Sequence, residues 1–366
     1  MIRLAKPDIS RQELRAVGDV LRSGNLVQGV RVRKFERRVA RAIGVSDAVA
    51  TTSGTAALHL ALLALGLGPG DEVIVPDFTF PATANVVELV GATPVLVDID
   101  LKTFNINPSR IGPVLTARTK AIIPVHLFGQ PADMDPILRL AKAHRLFVIE
   151  DAACALGARY RGRACGAMGD VGCFSFHPRK IITTGEGGMV VTRDGALAKR
   201  LRQLRNHGMA MVNGSHQLQQ AGLNYRMTEF QAALGVSQMS RLGGLIRRRM
   251  ALAGAYTRAL KGVAGVRPPQ TLEGVRHIWQ AYVVLLEDGI NRDRVVTQTK
   301  DHGVETTIGA YALSAQPHYA ARGTRIPNAY QAYRQGLCLP LHPTLSASEL
   351  TQVVTCLRKA LHPALS

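Results

Sequence analysis

The sequence predicts an α/β protein with a large domain on a mostly parallel seven-stranded sheet and a smaller C-terminal α/β domain. Its 366 residues exceed what one hydrophobic core usually serves, and 46% hydrophobic with 19% charged residues is typical of a globular protein. Between Ser46 and Thr192, β-branched runs alternate with apolar helical patterns, which favours parallel strands with helices on both faces. We place the large domain at 1–250 and the small domain at 251–366. The predicted strands are 48–52, 72–76, 94–98, 121–125, 147–150, 171–175 and 188–192.

Helical periodicity connects several of these strands and continues beyond them. Apolar residues at helical spacing predict a long helix over 229–260, and two prolines at 268–269 end that pattern. Ser346, with Glu349 three residues later, predicts a capping box at the start of a closing helix. The other predicted elements are helices at 56–65, 81–90, 134–144, 292–302 and 347–361, and a strand at 280–286.

No feature of the sequence is typical of a membrane or secretory protein. No apolar run approaches the roughly 20 residues that span a bilayer. The first residues include Arg3, Lys6 and Asp8, with no apolar segment after them. The five cysteines are odd in number and show no CxxC or CxxH spacing. We therefore expect a cytoplasmic protein with reduced thiols, no metal site and no membrane partner.

The net charge is high, because 45 basic residues stand against 26 acidic ones and give +19. Such a charge attracts polyanions, either nucleic acid or a nucleotide-linked substrate. The alternative is a solvated, arginine-rich surface that reflects genome composition. The basic residues, among them Arg247, Arg248 and Arg249, are dispersed and lack interleaved aromatics. Since no nucleic-acid-binding motif is present either, we predict no nucleic-acid partner.

Three segments carry residues suited to binding one cofactor. In the first, residues 51–65, a strand runs through Ser and Thr into Gly54 and an apolar helix, whose first N–H groups can bind phosphate. Any strand-to-helix turn also favours these residues. In the second, a buried strand ends in Glu150 and Asp151, where a carboxylate can pair with a cationic ring nitrogen. A helix N-cap aspartate is the alternative.

The third segment, residues 172–192, places Lys180 in a turn after Pro178, ahead of the glycine-rich run 185–188. A desolvated lysine beside Arg179 can lose its proton and condense with an aldehyde. A surface lysine in a glycine-rich loop is the alternative. Together the segments supply a phosphate cradle, a carboxylate and an amine, which match the three functional ends of pyridoxal phosphate.

At these motifs the sequence resembles the DegT/StrS family of sugar aminotransferases, within the fold type I pyridoxal-phosphate enzymes. The resemblance covers nearly the whole chain. It implies pyridoxal 5′-phosphate as cofactor, with pyridoxamine 5′-phosphate between two half-reactions. The matching motifs are SGTAALHLALLALGLGPGDEVIVP, FTFPATAN, VHLFGQPADMD, IEDAA, CFSFHPRK, TTGEGGMVVT, LRNHGM, NYRMTEFQAA and LCLPLHPTLS.

The resemblance also implies roles for individual residues. Lys180 corresponds to the lysine that holds the cofactor, and Asp151 to the carboxylate on its ring nitrogen. Phe80 lies where an aromatic side chain stacks on the ring. Asn224 corresponds to a phosphate contact from the neighbouring subunit of a homodimer. Gly54, Thr55 and Ser175 correspond to further phosphate contacts, Arg226 to a site for an anionic group of the substrate, and His318 and Tyr319 to candidate neighbours of the substrate or structural residues.

Two positions depart from the family pattern. Cys154 stands where glutamine is frequent beside the cofactor's ring hydroxyl, and Ile181 stands where asparagine is frequent. A thiol is a poor hydrogen-bond partner, so either another residue orients that hydroxyl or the contact is absent. Cys154 is then a reactive thiol or, in the favoured interpretation, a small apolar filler.

The function implied is transfer of an amino group from glutamate or glutamine to a nucleotide-diphosphate-linked keto-sugar in amino-sugar biosynthesis. Lys180 acts as general base and then as general acid. One alternative is a sugar dehydratase of the same family, in which histidine occupies the lysine position. Another is a non-catalytic regulatory or nucleic-acid-binding protein on the same fold, which would leave the lysine, aspartate and phosphate cradle unexplained.

Overall fold

The computed structural model describes residues 1–320 and 326–361. The strands of its large sheet, in chain order, are β1 (Asp47–Thr51), β2 (Glu72–Pro76), β3 (Thr93–Val97), β4 (Thr119–Ile122), β5 (Phe147–Asp151), β6 (Val171–Ser175) and β7 (Gly188–Thr192). Their spatial order is β1-β7-β6-β5-β4-β2-β3. Strand β7 runs antiparallel to both neighbours, and the other paired strands run parallel. The predicted α/β fold with a mostly parallel seven-stranded sheet is confirmed.

Helices cover this sheet and the region that follows it. Within the two described stretches, no helix is both long and apolar enough to cross a membrane. The helices are α1 (Arg11–Ser23), α2 (Val30–Ile43), α3 (Gly54–Leu65), α4 (Ala82–Leu89), α5 (Met134–His144), α6 (Gly195–Arg205), α7 (Glu229–Leu260), α8 (Arg292–Asp301), α9 (Pro317–Ala320), α10 (Pro327–Gln335) and α11 (Ala347–Leu361).

Both faces of the large sheet are buried. In β1, Ala48 and Ala50 pack into a core with Phe35 of α2, whereas Val49 packs into a core with Leu58 of α3. Successive residues of a strand point to opposite faces, so each strand needs apolar side chains at every position when helices cover both. This explains why the strands read as continuous apolar runs.

Most predicted boundaries agree with the structure within a few residues, and α7 and α11 match at both ends. The predicted capping box of α11 is confirmed: the Ser346 N–H donates to the Glu349 carboxylate (2.7 Å), and the Glu349 N–H donates to the Ser346 hydroxyl (3.1 Å). The strand predicted at 121–125 ends at Ile122, close to Pro124, which has no N–H for the ladder.

A second, antiparallel sheet consists of β8 (Val266–Arg267), β9 (Tyr282–Leu286), β10 (Thr307–Ile308) and β11 (Gly336–Leu339), in the spatial order β8-β9-β11-β10. Helix α7 packs against both sheets. Val236 and Ile246 belong to the core beside the large sheet, and Leu252 and Tyr256 belong to the core beside the second sheet. The domain boundary near 250 falls inside this continuous helix and stays a prediction. Short strands outside these sheets are Phe78–Thr79, Arg159–Tyr160, Arg163–Ala164, Met209–Val212, Ser215–Leu218, Val275–Arg276 and Tyr311–Ala312.

Candidate active site

The three predicted cofactor segments meet at one end of the large sheet. Thr51, the last residue of β1, pairs with Gly188 of β7, and Gly188 pairs with Ser175, the last residue of β6. On the next strand, Asp151 ends β5 opposite Cys173 of β6. Loops that follow the carboxyl ends of parallel strands form the ligand crevice of α/β proteins. Residues from sequence positions 51 to 188 therefore border a single site.

The predicted phosphate cradle lies at the start of α3. The Ser53 hydroxyl accepts the N–H of Ala56 (3.0 Å), and the Ser53 carbonyl accepts the N–H of Ala57 (3.0 Å). This leaves the N–H groups of Gly54 and Thr55 as free donors of the first turn. A β-carbon on Gly54 would lie 2.7 Å from that of Ser175, so only glycine allows this close approach. The cradle thus combines the backbone N–H groups of buried Gly54 and exposed Thr55 with the half-buried Ser175 hydroxyl.

Asp151 is buried at the end of β5, and side-chain hydrogen bonds hold its carboxylate in one orientation. Its Oδ2 accepts a 2.8 Å hydrogen bond from the Thr83 hydroxyl, and its Oδ1 accepts the N–H of Ala153 at 3.1 Å. Thr83 is fully buried in the first turn of α4 and also contacts the Thr79 hydroxyl at 3.1 Å. We did not predict the role of Thr83, although it lies in the FTFPATAN motif that identified Phe80.

Lys180 is half-buried in the turn between β6 and β7, and its amine approaches the aspartate segment. Its Nζ lies 3.1 Å from Sγ of Cys154, three residues after Asp151. The turn is held by backbone contacts, since the Lys180 N–H donates to the carbonyl of His177 (2.8 Å). Burial lowers the pKa of His177 and, together with the charges of Lys180 and Arg179, outweighs the opposing charge of Glu186, so a neutral imidazole is favoured beside the lysine.

Phe80 lies just before α4 and is 64% exposed, with an edge-to-face contact to Tyr311 at a centroid distance of 6.4 Å. An aromatic ring this exposed is unusual next to a well-packed core. Phe80 lies three residues before Thr83, whose hydroxyl bonds to Asp151. The placement is compatible with the stacking role that we predicted for Phe80.

The remaining predicted residues lie further from this cluster. Asn224 is exposed, and its neighbour Tyr225 bonds through its hydroxyl to Nδ1 of His59 in α3 (2.9 Å). Arg226 donates to the Asn206 amide oxygen at 2.6 Å. His318 bonds at the surface to Glu88, at the far end of α4 from Thr83 (2.6 Å), and the neighbouring Tyr319 is buried. The structure does not bring these residues to the lysine and the aspartate within this chain.

The donor set fits pyridoxal phosphate on structural grounds. Gly54 and Ser175 leave room and hydrogen-bond donors for a phosphate, because a side chain at position 54 would fill that space. The Asp151 carboxylate is buried and accepts two hydrogen bonds from the described residues, so it can still pair with a protonated ring nitrogen. Lys180 supplies a primary amine that is held by no carboxylate among the described residues.

Comparisons with known proteins agree with this geometry. The sequence profile of the DegT/DnrJ/EryC1/StrS aminotransferase family matches residues 7–358. The GDP-perosamine synthase of Caulobacter vibrioides is 44% identical over 333 residues, which cover 90% of this chain and 89% of that protein. A UDP-N-acetyl-3-dehydro-alpha-D-glucosamine 3-aminotransferase of Acidithiobacillus ferrooxidans is 40% identical over 353 residues, covering 95% of this chain and 94% of that protein. The structure of DesV from S. venezuelae, in complex with a ketimine intermediate, has a TM-score of 0.89 at 38% identity, over 95% of this chain and 94% of that one.

These similarities span the strand ends and loops that carry Gly54, Asp151 and Lys180. The two relatives are 44% and 40% identical to this chain, and the matches cover 89% and 94% of their own lengths. Aminotransferases of this family depend on pyridoxal 5′-phosphate. The chain therefore belongs to the DegT/DnrJ/EryC1/StrS aminotransferase family and is a pyridoxal-phosphate-dependent sugar aminotransferase.

Proposed function

We propose that this enzyme moves an amino group from glutamate or glutamine to a keto-sugar linked to a nucleotide diphosphate, inside the cytoplasm. The names of two relatives support the acceptor, since one is a GDP-sugar synthase and the other acts on a UDP-linked dehydro-sugar. The net charge of +19 supports it as well, because a positive surface attracts a pyrophosphate-bearing substrate. Five unpaired cysteines support a reducing compartment.

The observation that carries the proposal is the convergence of Lys180, Asp151 and the Gly54–Ser175 cradle at adjacent strand ends. Pyridoxal phosphate, when bound, supplies an aldehyde carbon that exchanges amino groups and a ring that accepts electrons. Lys180 would bind that carbon and then, once displaced by the donor, move a proton away from the donor's α-carbon. The hydrogen bond from the Lys180 N–H to the His177 carbonyl fixes the turn that carries the lysine. This limits the positions that Nζ can reach, so Lys180 would move the proton on one face of the cofactor ring.

The other residues would act by binding and orientation. Asp151, fixed by Thr83 and Ala153, would keep a ring nitrogen protonated through an ion pair in a site that excludes water. Gly54, Thr55 and Ser175 would hold the phosphate and so set the distance from the ring to Lys180. The exposed ring of Phe80 would cover one face of the cofactor.

Asn224 and Arg226 fit a homodimer whose sites are completed across the interface. Asn224 is exposed, as a residue that serves another subunit would be in a single chain. The adjacent hairpin exposes Met211 (60%) and Leu218 (72%), which suits burial against a second copy. We therefore propose that the partner subunit's Asn224 contacts the phosphate and the partner subunit's Arg226 the substrate.

Borohydride trapping tests the assignment of the lysine. The yellow cofactor-loaded enzyme, reduced and digested, should carry the label on the peptide with Lys180, and Lys180→Ala should abolish both label and transfer. Lys199→Ala, which removes an exposed lysine on α6, should change neither. A label on another lysine would overturn the site as proposed.

Two further measurements test the acceptor and the dimer. The pyridoxamine form, mixed with a panel of nucleotide-linked keto-sugars, should regain the absorbance of the loaded enzyme with one of them and with none of the free sugars. Lys180→Ala and Asn224→Ala subunits, each inactive alone, should recover about a quarter of the activity when mixed, because one site in each mixed dimer is intact. No recovery between subunits that do exchange would contradict a shared site.

A further inference from the structure

A basic pocket of about 360 Å³ lies on the large domain between α2, β1 and α6. Its volume is within the range of sites that bind small molecules. Ala48, in its wall, is the second residue of β1, whereas the proposed cradle follows the other end of that strand, about 10 Å further along. None of the residues assigned above to the cofactor or the sugar lines this pocket. The residues that line it are Gln28, Val32, Arg33, Glu36, Arg37, Ala40, Ser46, Ala48, Arg202 and Arg205.

The pocket wall carries more positive than negative charge. Its four guanidinium groups face two carboxylates: Arg205 pairs with Glu36 (2.7 Å), and Arg202 pairs with Asp47 at the rim (2.8 Å). Arg33 and Arg37 form no ion pair within residues 1–320 and 326–361. They are exposed and lie one turn apart on α2, so their side chains share a face of the helix. Two uncompensated cations therefore border the opening.

The wall also holds hydrogen-bond donors without acceptors. Arg205 is 6% exposed; its Nη1 donates to Glu36 (2.7 Å) and to the carbonyl of Ala50 (2.8 Å), but its buried Nε has no partner among the described residues. The buried Nε2 of Gln28 also lacks a partner in the part of the chain that the structure describes. Gln28 adopts a left-handed conformation (φ 51°), which costs free energy for a residue other than glycine. A buried donor without an acceptor is destabilising, so these side chains are suited to binding a group that only accepts hydrogen bonds.

We propose that this pocket is a second anion site, which binds a phosphate or diphosphate group of a small molecule. Guanidinium groups bind phosphoryl oxygens through two parallel hydrogen bonds, and four of them line one cavity here. The Glu36 carboxylate keeps Arg205 in place, since it also accepts the N–H of Ala50 (2.9 Å). The site is therefore preorganised on one side by Arg205 and completed on the other by the exposed side chains of Arg33 and Arg37.

The pocket also contacts the segment proposed to serve the partner's active site. The carbonyl of Arg205 accepts the N–H of Tyr225 (3.0 Å), between Asn224 and Arg226. Asn206, the next residue, accepts the hydrogen bond from Arg226 (2.6 Å). An anion bound to Arg205 would therefore contact a residue whose backbone is hydrogen-bonded to that segment.

Calorimetric titration of the cofactor-loaded enzyme with inorganic pyrophosphate, and separately with inorganic phosphate, tests the proposal. Loading with pyridoxal phosphate occupies the cradle at Gly54, so that binding there does not contribute. We expect saturable binding, tighter for pyrophosphate, that the double variant Arg33→Gln/Arg37→Gln weakens at least about tenfold. These side chains are exposed and unpaired, so the variant should keep the melting temperature of the wild type.

The matched control is Arg11→Gln/Arg15→Gln, which removes the same charge from exposed positions of α1. It should leave the affinity within about twofold, as should Arg226→Gln. Absence of saturable binding would overturn the proposal, because it would mean that water, and not an anion, accepts the hydrogen bonds of Arg205 and Gln28. Equal losses in both double variants would overturn it too, since they would show a diffuse effect of charge. Loss of binding in Arg226→Gln would place the anion in the substrate site instead.

Discussion

Nζ of Lys180 and Sγ of Cys154 lie 3.1 Å apart, so the thiol and the amine of the active site contact each other directly. Cys154 follows the end of β5, and Lys180 lies in the turn after β6, 26 residues later. The contact places Cys154 beside the lysine that we propose holds the cofactor, at a position where the family pattern has an amide. Whether Cys154 acts there as a reactive thiol or as a small apolar filler stays a prediction.

Cys154 should therefore be the first cysteine to react with iodoacetamide in the cofactor-free protein. It is half-buried, whereas the other four cysteines are buried. Burial also raises the pKa of those four thiols, Cys165, Cys173, Cys338 and Cys356, which lowers their thiolate content near neutral pH. Mass spectrometry of the labelled peptides checks the order.

Bound cofactor should slow this labelling, because it shares the space between Cys154 and Lys180. The variant Cys154→Ala is the control and should take up no label over the same time. Labelling of a buried cysteine before Cys154, or equal rates with and without cofactor, would contradict the placement of the thiol in the site.

Replacing Thr83 with valine should weaken cofactor binding by about tenfold or more. Valine has the shape of threonine but cannot donate the 2.8 Å hydrogen bond to Asp151. A hydrogen bond to a charged group contributes about 1.5–3 kcal/mol, and its loss frees the carboxylate to rotate away from the ring nitrogen. Absorbance titration of the apoprotein with pyridoxal phosphate measures the affinity. Thr83→Ser keeps the hydroxyl and should stay close to the wild type; equal losses in both variants would mean that packing matters and not the hydrogen bond.

Gly54→Ala should impair cofactor binding more than an ordinary glycine-to-alanine change. The added β-carbon would lie 2.7 Å from the β-carbon of Ser175, so the start of α3 must move away from the cradle. Gly195→Ala is a matched control, because Gly195 also begins a helix and a β-carbon there meets nothing within 4 Å. We expect the same absorbance titration to show at least about a tenfold loss for the first variant and little change for the second. Comparable affinities would show that the cradle tolerates the shift.

The stability of the protein should depend on Asp77 between about pH 4 and pH 6. Burial raises the pKa of Asp77 to about 6, and nearby Asp98 acts in the same direction, while hydrogen bonds from Ser314 oppose them. An unfolded chain titrates this group near 3.8, so the folded state binds the proton more tightly. The resulting stabilisation is fully present below about pH 3.8 and is lost as the pH rises through about 6.

Asp77→Asn, which cannot ionise, should remove this dependence, which amounts to about 3 kcal/mol in the free energy of unfolding. Asparagine can still accept from the Ser314 N–H and donate to the Ser314 hydroxyl, so the local hydrogen bonds survive. Urea unfolding at several pH values measures the effect, with Asp19→Asn on the surface of α1 as control. An unchanged pH profile in Asp77→Asn would show that Asp77 titrates as it does in the unfolded chain.

The sequence was sufficient to predict the succession of strands along the chain, the bounds of α7 and α11, and the positions of Gly54, Asp151 and Lys180 at the end of a strand or in the loop that follows it. These features depend on residues within a few positions of each other: the helical period, the capping pair Ser346–Glu349, and the glycines around a turn. The spatial sheet order is not local. Strand β7 inserts between β1 and β6, and it brings Ser175 to Gly54 across 121 residues of chain.

Three relationships were decided only by the tertiary structure. Thr83 reaches Asp151 across 68 residues, Cys154 meets Lys180 across a strand, and Arg249, one of an arginine triplet, is buried while its Nη1 donates to the carbonyls of Gln280 and Leu341 (2.9 Å each). Each depends on how strands, helices and loops pack against one another, which no periodicity along the chain records. Local pattern determined which groups are present at the site, and packing between distant segments determined which of them touch, because side-chain contact requires the full arrangement of the sheet and its helices.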